Sequence, residues 1–264
     1  MTAGGRRRWP WLMAAAVLAH GGLLAGATEA FPPSADAPTA PSSAQPAPVR
    51  VPDSATLDYQ VSGKVRGLSY GADAQLQWRR EGGRYEAVWS IGLPLLGTRT
   101  QRSEGRLTAA GLAPERYVER FRGELAAHFD AENRRIRFDS KRPDATLESG
   151  AQDRLSITLQ LASLLAAAPE RYPPGARITL QVAGVRVAEP WTWDVLPDAT
   201  LTVAGREIPC ARLLRQPREG NDLRVELWLA RTLDYLPARL NLTQANGDVA
   251  NQQLRSFDET PASQ

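Results

Sequence analysis

The residues of this chain with chemistry to offer are mostly aromatic. Trp78, Trp89, Trp191, Trp193 and Trp228 sit in segments of alternating polar and apolar character. Indoles in such segments build either a core or the wall of an apolar ligand site. Arg239 follows Tyr235 and Pro237, where a guanidinium could hold an anionic head group or pair with Asp153 or Asp234. Asp153 itself stands where a helix begins, the position that favours a carboxylate.

Other site chemistries lack their parts. Beyond residue 27 His128 is the one histidine, and Cys210 is the one cysteine of the chain. Together they fall short of the three or four nitrogen and sulfur ligands of a structural zinc site. No intramolecular disulfide can form, and Cys210 after Pro209 reads as a small buried thiol. No G-x-S-x-G elbow presents a serine to His128, and neither a dinucleotide fingerprint nor a P-loop occurs. No spacing marks a carboxylate pair for a hydrolase. The expectation is a non-enzymatic protein with no catalytic residue, metal or cofactor.

The charge balance excludes a polyanion partner. The chain carries 32 basic and 29 acidic residues, but Arg6, Arg7 and Arg8 all precede an uncharged run from Trp9 to Ala27. Without residues 1–27 the formal charge is zero. Mixed signs, as in Arg79-Arg80-Glu81, read as a solvated face, so nucleic acid is not an expected ligand.

That same N-terminus locates the protein. A basic start, an apolar run and small residues at Ala25 and Ala27 make up an export signal. Residues 1–27 are expected to be a cleaved signal or, if retained, an anchor. A 19-residue run at 1.5 Å per residue roughly spans a ~30 Å hydrocarbon core. Either way the rest of the chain is expected in the periplasm, touching membrane only through an uncleaved leader. Seven prolines among Ala, Ser and Thr make residues 28–52 a predicted linker. Leu93-Pro94-Leu95-Leu96-Gly97 is a conspicuous apolar bend or mouth.

The elements that must position these residues are strands. Leu57, Tyr59 and Val61 alternate with polar neighbours, and so do residues 75–79 and 85–91, flanking a Gly82-Gly83 turn. The pattern resumes at 116–121, 125–129 and 135–139. It continues through 177–182, 185–195, 201–203, 206–215, 223–230 and 236–244. After an Asn246-Gly247 turn it ends at 249–257. About a dozen strands predict one domain over residues 53–258, with 259–264 as a tail.

One segment departs from that period. From Asp153 to Ala168, Ile157, Leu161, Leu164, Leu165 and Ala168 fall at helical spacing, and Pro169 ends the run. Ser149 with Gln152 matches a capping box. The helix is apolar on most of its circumference, so a curved sheet must wrap it. The predicted fold is mainly β: a long antiparallel meander forming a strongly curved sheet or half-barrel around one α-helix.

Three short phrases resemble a family. They are Gln152-Asp153-Arg154-Leu155-Ser156, then Gly111-Leu112-Ala113-Pro114-Glu115-Arg116-Tyr117, and Trp228-Leu229-Ala230 followed by Tyr235-Leu236-Pro237-Ala238-Arg239-Leu240. In order and spacing they are similar to DUF3108, exported bacterial proteins of unknown function. The resemblance covers roughly residues 57–257. It makes Gln152, Asp153, Ser156, Tyr235 and Pro237 structural motif residues. It also implies a sheet curved around a helix, like the lipoprotein carriers of the envelope (LolA/LolB-like). The expected ligand is an apolar or lipidic molecule, or a hydrophobic partner segment, held in the concave sheet near the five tryptophans and Arg239. The alternative is an envelope scaffold that meets a protein partner through its surface, and a more remote one is a hydrolase working through paired carboxylates.

Overall fold

The computed structural model describes residues 48–93, 97–215, 217 and 223–259. The predicted leader, most of the proline tract, residues 94–96 of the apolar bend and residues 260–264 lie outside them. In chain order the strands are β1 (Ala55–Val65), β2 (Leu68–Glu81), β3 (Arg84–Leu93), β4 (Gly97–Thr108), β5 (Gly111–Arg120), β6 (Glu124–Asp130), β7 (Arg135–Phe138), β8 (Ala145–Thr146) and β9 (Gln152–Asp153). After α1 (Ser156–Ala167) come β10 (Arg177–Ala183), β11 (Ala188–Val203), β12 (Arg206–Arg215), β13 (Arg224–Ala230), β14 (Leu236–Thr243) and β15 (Val249–Glu259).

All fifteen strands form one sheet, in the order β8 through β1, then β15 down to β9. β1 pairs with β15, so the first and last long strands meet at the centre of the sheet. Every pairing is antiparallel except the short one between β9 and β10. Hairpins set this order. Gly82 and Gly83 both take positive φ, the backbone that a two-residue turn matched to strand twist requires.

The curved sheet encloses α1, as the sequence predicts. Leu155 and Leu159 enter one apolar cluster with Leu57, Leu76, Trp78 and Trp89. Ile157, Leu161 and Leu165 enter a second with Trp191, Trp193, Leu213 and Leu227. Each large aliphatic side chain buried there contributes about 2 kcal/mol. The helix therefore packs against the concave side of the sheet through both clusters.

Three expectations need correction. The helix starts at Ser156 rather than Asp153, because Gln152 and Asp153 pair as β9 with Val182 and Ala183. Ser149 and Gln152 do not cap it. The segments read as 185–195 and 201–203 are one strand, β11, whose pairing with β12 slips between Leu196 and Ala199. Across that slip the buried side of β12 changes phase: Ile208 and Cys210 join the first cluster, Ala211 and Leu213 the second. Residues 48–52, assigned to the linker, belong to the packed domain. Arg50 N donates to Ser163 O of α1, and the Pro52 carbonyl accepts the Trp78 indole at 3.0 Å.

The sequence reading left β4 unassigned, because hydropathy alternation does not reveal it. It presents Arg99, Gln101 and Ser103 to the interior, all at most 8% exposed. A strand polar on both faces has no period to read.

Candidate functional site

The buried face of β4 seeds a polar cluster at the start of α1. Asp153 is fully buried. Its Oδ1 accepts the backbone N–H groups of Leu155 and Ser156, each at 2.8 Å, and its Oδ2 accepts from Ser103 Oγ at 2.5 Å. Ser103 also meets Tyr85 Oη at 3.0 Å. Desolvation outweighs these bonds and raises the Asp153 carboxyl to about 6. Burial, then the Asp153 charge, pushes the Tyr85 phenol well up. Beside it Arg99 pairs with Glu119 at 2.9 Å, and Tyr117 donates to the same carboxylate. All but the partly exposed Glu119 are buried, and Asp153 holds the first backbone N–H groups of the helix entry.

Two of the family-like phrases meet at this point. Gly111 to Tyr117 is most of β5, and Gln152 to Ser156 is β9 with the helix start. Gln152 Nε2 donates to Leu112 O, Leu112 N donates to Gln160 Oε1, and Gln160 Nε2 donates to Ala110 O. Gly111 is required there. Its φ is +102°, and a Cβ would lie 2.2 Å from Gln160 Oε1.

On the solvent side of this junction lies a cleft of about 460 Å³. The β4–β5 hairpin supplies Thr108, Ala110, Leu112, Ala113 and Pro114. Phe129 on β6 and Ala131 and Arg134 in the β6–β7 turn add to it, and residues 147–151 cross from β8 to β9 to complete it. Its walls are mainly apolar, and its volume is within the ordinary range of small-ligand sites. Arg134 and Glu148 add one charge of each sign. A second, shallower depression of about 520 Å³ over β2–β4 is bordered by Arg79, Arg84, Glu86, Arg102 and Glu104. Its charges are largely matched, with Arg102 bonded to Glu86 and Glu104.

The five tryptophans border neither cavity. Trp78 is fully buried, Trp89 bonds Gln252 Oε1 across the interior at 3.0 Å, and Trp193 Nε1 has no partner among the described residues. Trp191 stacks under the Arg215 guanidinium at 4.3 Å. Trp228 lies between Arg212 and Arg239, at 5.4 and 5.1 Å, on three adjacent strands. Arg239 pairs with neither Asp153 nor Asp234: its Nε donates to Asn251, while Asp234 pairs with Arg50. Tyr235 has φ +59° in the β13–β14 turn, and the Pro237 carbonyl accepts the Tyr59 hydroxyl at 2.8 Å.

His128 lies on β6, 3.0 Å from Asp139. Cys210 is buried, which with the nearby Asp198 charge raises its thiol to about 11. Sequence reasoning missed the cleft, because its walls are loop alanines, a proline and lone apolar residues with no common period. Its one sequence signal is the phrase beginning at Gly111, which supplies Leu112, Ala113 and Pro114.

Comparison with known proteins bears on the fold. The family model DUF3108, described as a protein of unknown function, matches residues 58–255. No curated protein matches. Among solved structures, a β-barrel-like protein of domain family DUF1849 from Brucella abortus has a TM-score of 0.55 at 10% identity, covering 80% of this chain and 99% of that one. At that identity the likeness is one of fold alone. MucB reaches a TM-score of 0.33 at 16% identity, with 80% of this chain and 55% of MucB covered. A putative outer membrane lipoprotein-sorting protein domain from Vibrio parahaemolyticus reaches 0.29 at 8%, with 80% and 87% covered.

Proposed function

The chain belongs to the DUF3108 family, and from that premise we propose that it is a non-enzymatic cell-envelope protein that takes an apolar group of a ligand or partner into the cleft above β5. The cleft carries the reading: about 460 Å³ with mainly apolar walls, opening beside the hydrogen-bonded junction of β5, β9 and α1. The envelope location is supported by the basic start and apolar run of residues 1–27. A non-enzymatic role is supported by the burial of Asp153 and Tyr85, whose raised carboxyl and phenol lie beyond a substrate's reach.

This moves the binding surface from where the sequence put it. The concave face near the tryptophans is occupied by α1, and the cleft lies at one end, where the two edges of the sheet come together.

Anilinonaphthalene sulfonate tests the reading, since it brightens on entering an apolar site. The folded protein should enhance the dye in a saturable way. Ala131→Trp, a filling substitution at an exposed turn position, should abolish the enhancement without changing the circular dichroism. Equal dye binding by both proteins would remove the cleft as the site.

A further inference from the structure

The cleft borders an unusual edge. β8 ends the sheet order and has one strand partner, β7. On its other side, among the described residues, the backbone hydrogen bonds run not to a strand but to one side chain. Gln181 Nε2, on β10, donates to Thr146 O at 2.9 Å, and its Oε1 accepts from Glu148 N at 3.1 Å. In a parallel ladder a residue uses the same two groups, the carbonyl before its partner and the amide after it. The Gln181 carboxamide thus stands in for a missing strand opposite Leu147. The edge it satisfies adjoins the cleft: Leu147 and Glu148 line the cavity, followed by Ser149, whereas Thr146 and the buried Gln181 stand behind that wall.

Unpaired strand edges are templates for another chain, and a side-chain amide is a replaceable cover. We infer that the Thr146–Glu148 edge is a strand-addition site closed by Gln181, and that its occupant is an extended, apolar segment of a partner polypeptide. The spacing of one acceptor and one donor matches a polypeptide backbone and has no counterpart on an acyl chain. Leu112, Ala113, Pro114 and Phe129 offer the partner's side chains an apolar wall. The rim supplies Arg134 and Glu148, whose opposite signs favour an uncharged segment. This inference rests on the cleft being a binding site and selects among its ligands.

A short labelled peptide of alternating valine and serine, titrated by fluorescence anisotropy, tests it. Gln181→Ala and Gln181→Met both remove the cover, and Met keeps the side chain's length. Each should bind the peptide about threefold to tenfold tighter than the parent, the worth of one or two hydrogen bonds no longer displaced. N-methylation of alternate residues of the peptide should weaken binding about tenfold. Unchanged affinity in both Gln181 variants, or equal binding of the N-methylated peptide, would overturn strand addition. The anilinonaphthalene sulfonate signal separates the two readings. If the dye binds and the peptide does not, the cleft stands and the inference falls. If the dye fails, the cleft reading falls by itself.

Discussion

Ser103 on β4 donates its hydroxyl to Asp153 on β9 at 2.5 Å, joining strands from opposite halves of the sheet order around the first turn of α1. The bond is fully buried, so the ionisation of Asp153 is coupled to folding. The carboxyl titrates near 6 when folded, against an ordinary value of 3.8. A raised acid pKa favours the folded state at low pH and loses that contribution as pH rises through the folded value. From pH 4 to pH 7 the carboxyl should therefore cost stability, by about 3 kcal/mol at most. Asp153→Asn should remove this dependence, so the difference between the two proteins' urea midpoints should narrow or reverse as pH rises. A pH-independent difference would mean that Asp153 titrates normally.

Gly111→Ala should destabilise the domain by about 2–4 kcal/mol, since it adds left-handed strain to a collision with Gln160. Thermal denaturation measures the loss. Gln160→Ala in the same chain should return the part due to the collision and leave the strain.

Two buried indoles should differ when cut to phenyl. Trp78→Phe leaves the Pro52 carbonyl without its donor, whereas Trp193→Phe removes an N–H that has no partner among the described residues. Both leave a similar void, so Trp78→Phe should cost about 1–2 kcal/mol more. Paired denaturant titrations read that difference, and equal losses would refute it.

Cys210 should resist maleimide at pH 7.5 while the protein is folded and react promptly once it is unfolded in urea. Burial shields the sulfur, and a thiol raised to about 11 supplies almost no thiolate. Rapid labelling of the native protein would contradict this placement.

The two-residue period of Leu57 to Val61, the glycine turns and the apolar run of α1 determined the curved sheet around one helix from sequence alone, because each is a local pattern that burial on one face imposes. Local patterns reached no further. β4 was invisible because its inner face is Arg99, Gln101 and Ser103, whose burial is tolerable only opposite Glu119, Tyr85 and Asp153. The helix start shifted because β10 captured Gln152 and Asp153 as a strand. The tryptophans, legible as a strand-face set, went to the core once α1 packed against the concave side. Where the cleft lies, and that Gln181 covers the β8 edge, was decided only when residues far apart in the chain met. No spacing in a sequence encodes the distance between Gln181 and Thr146; the closing curvature of fifteen strands does.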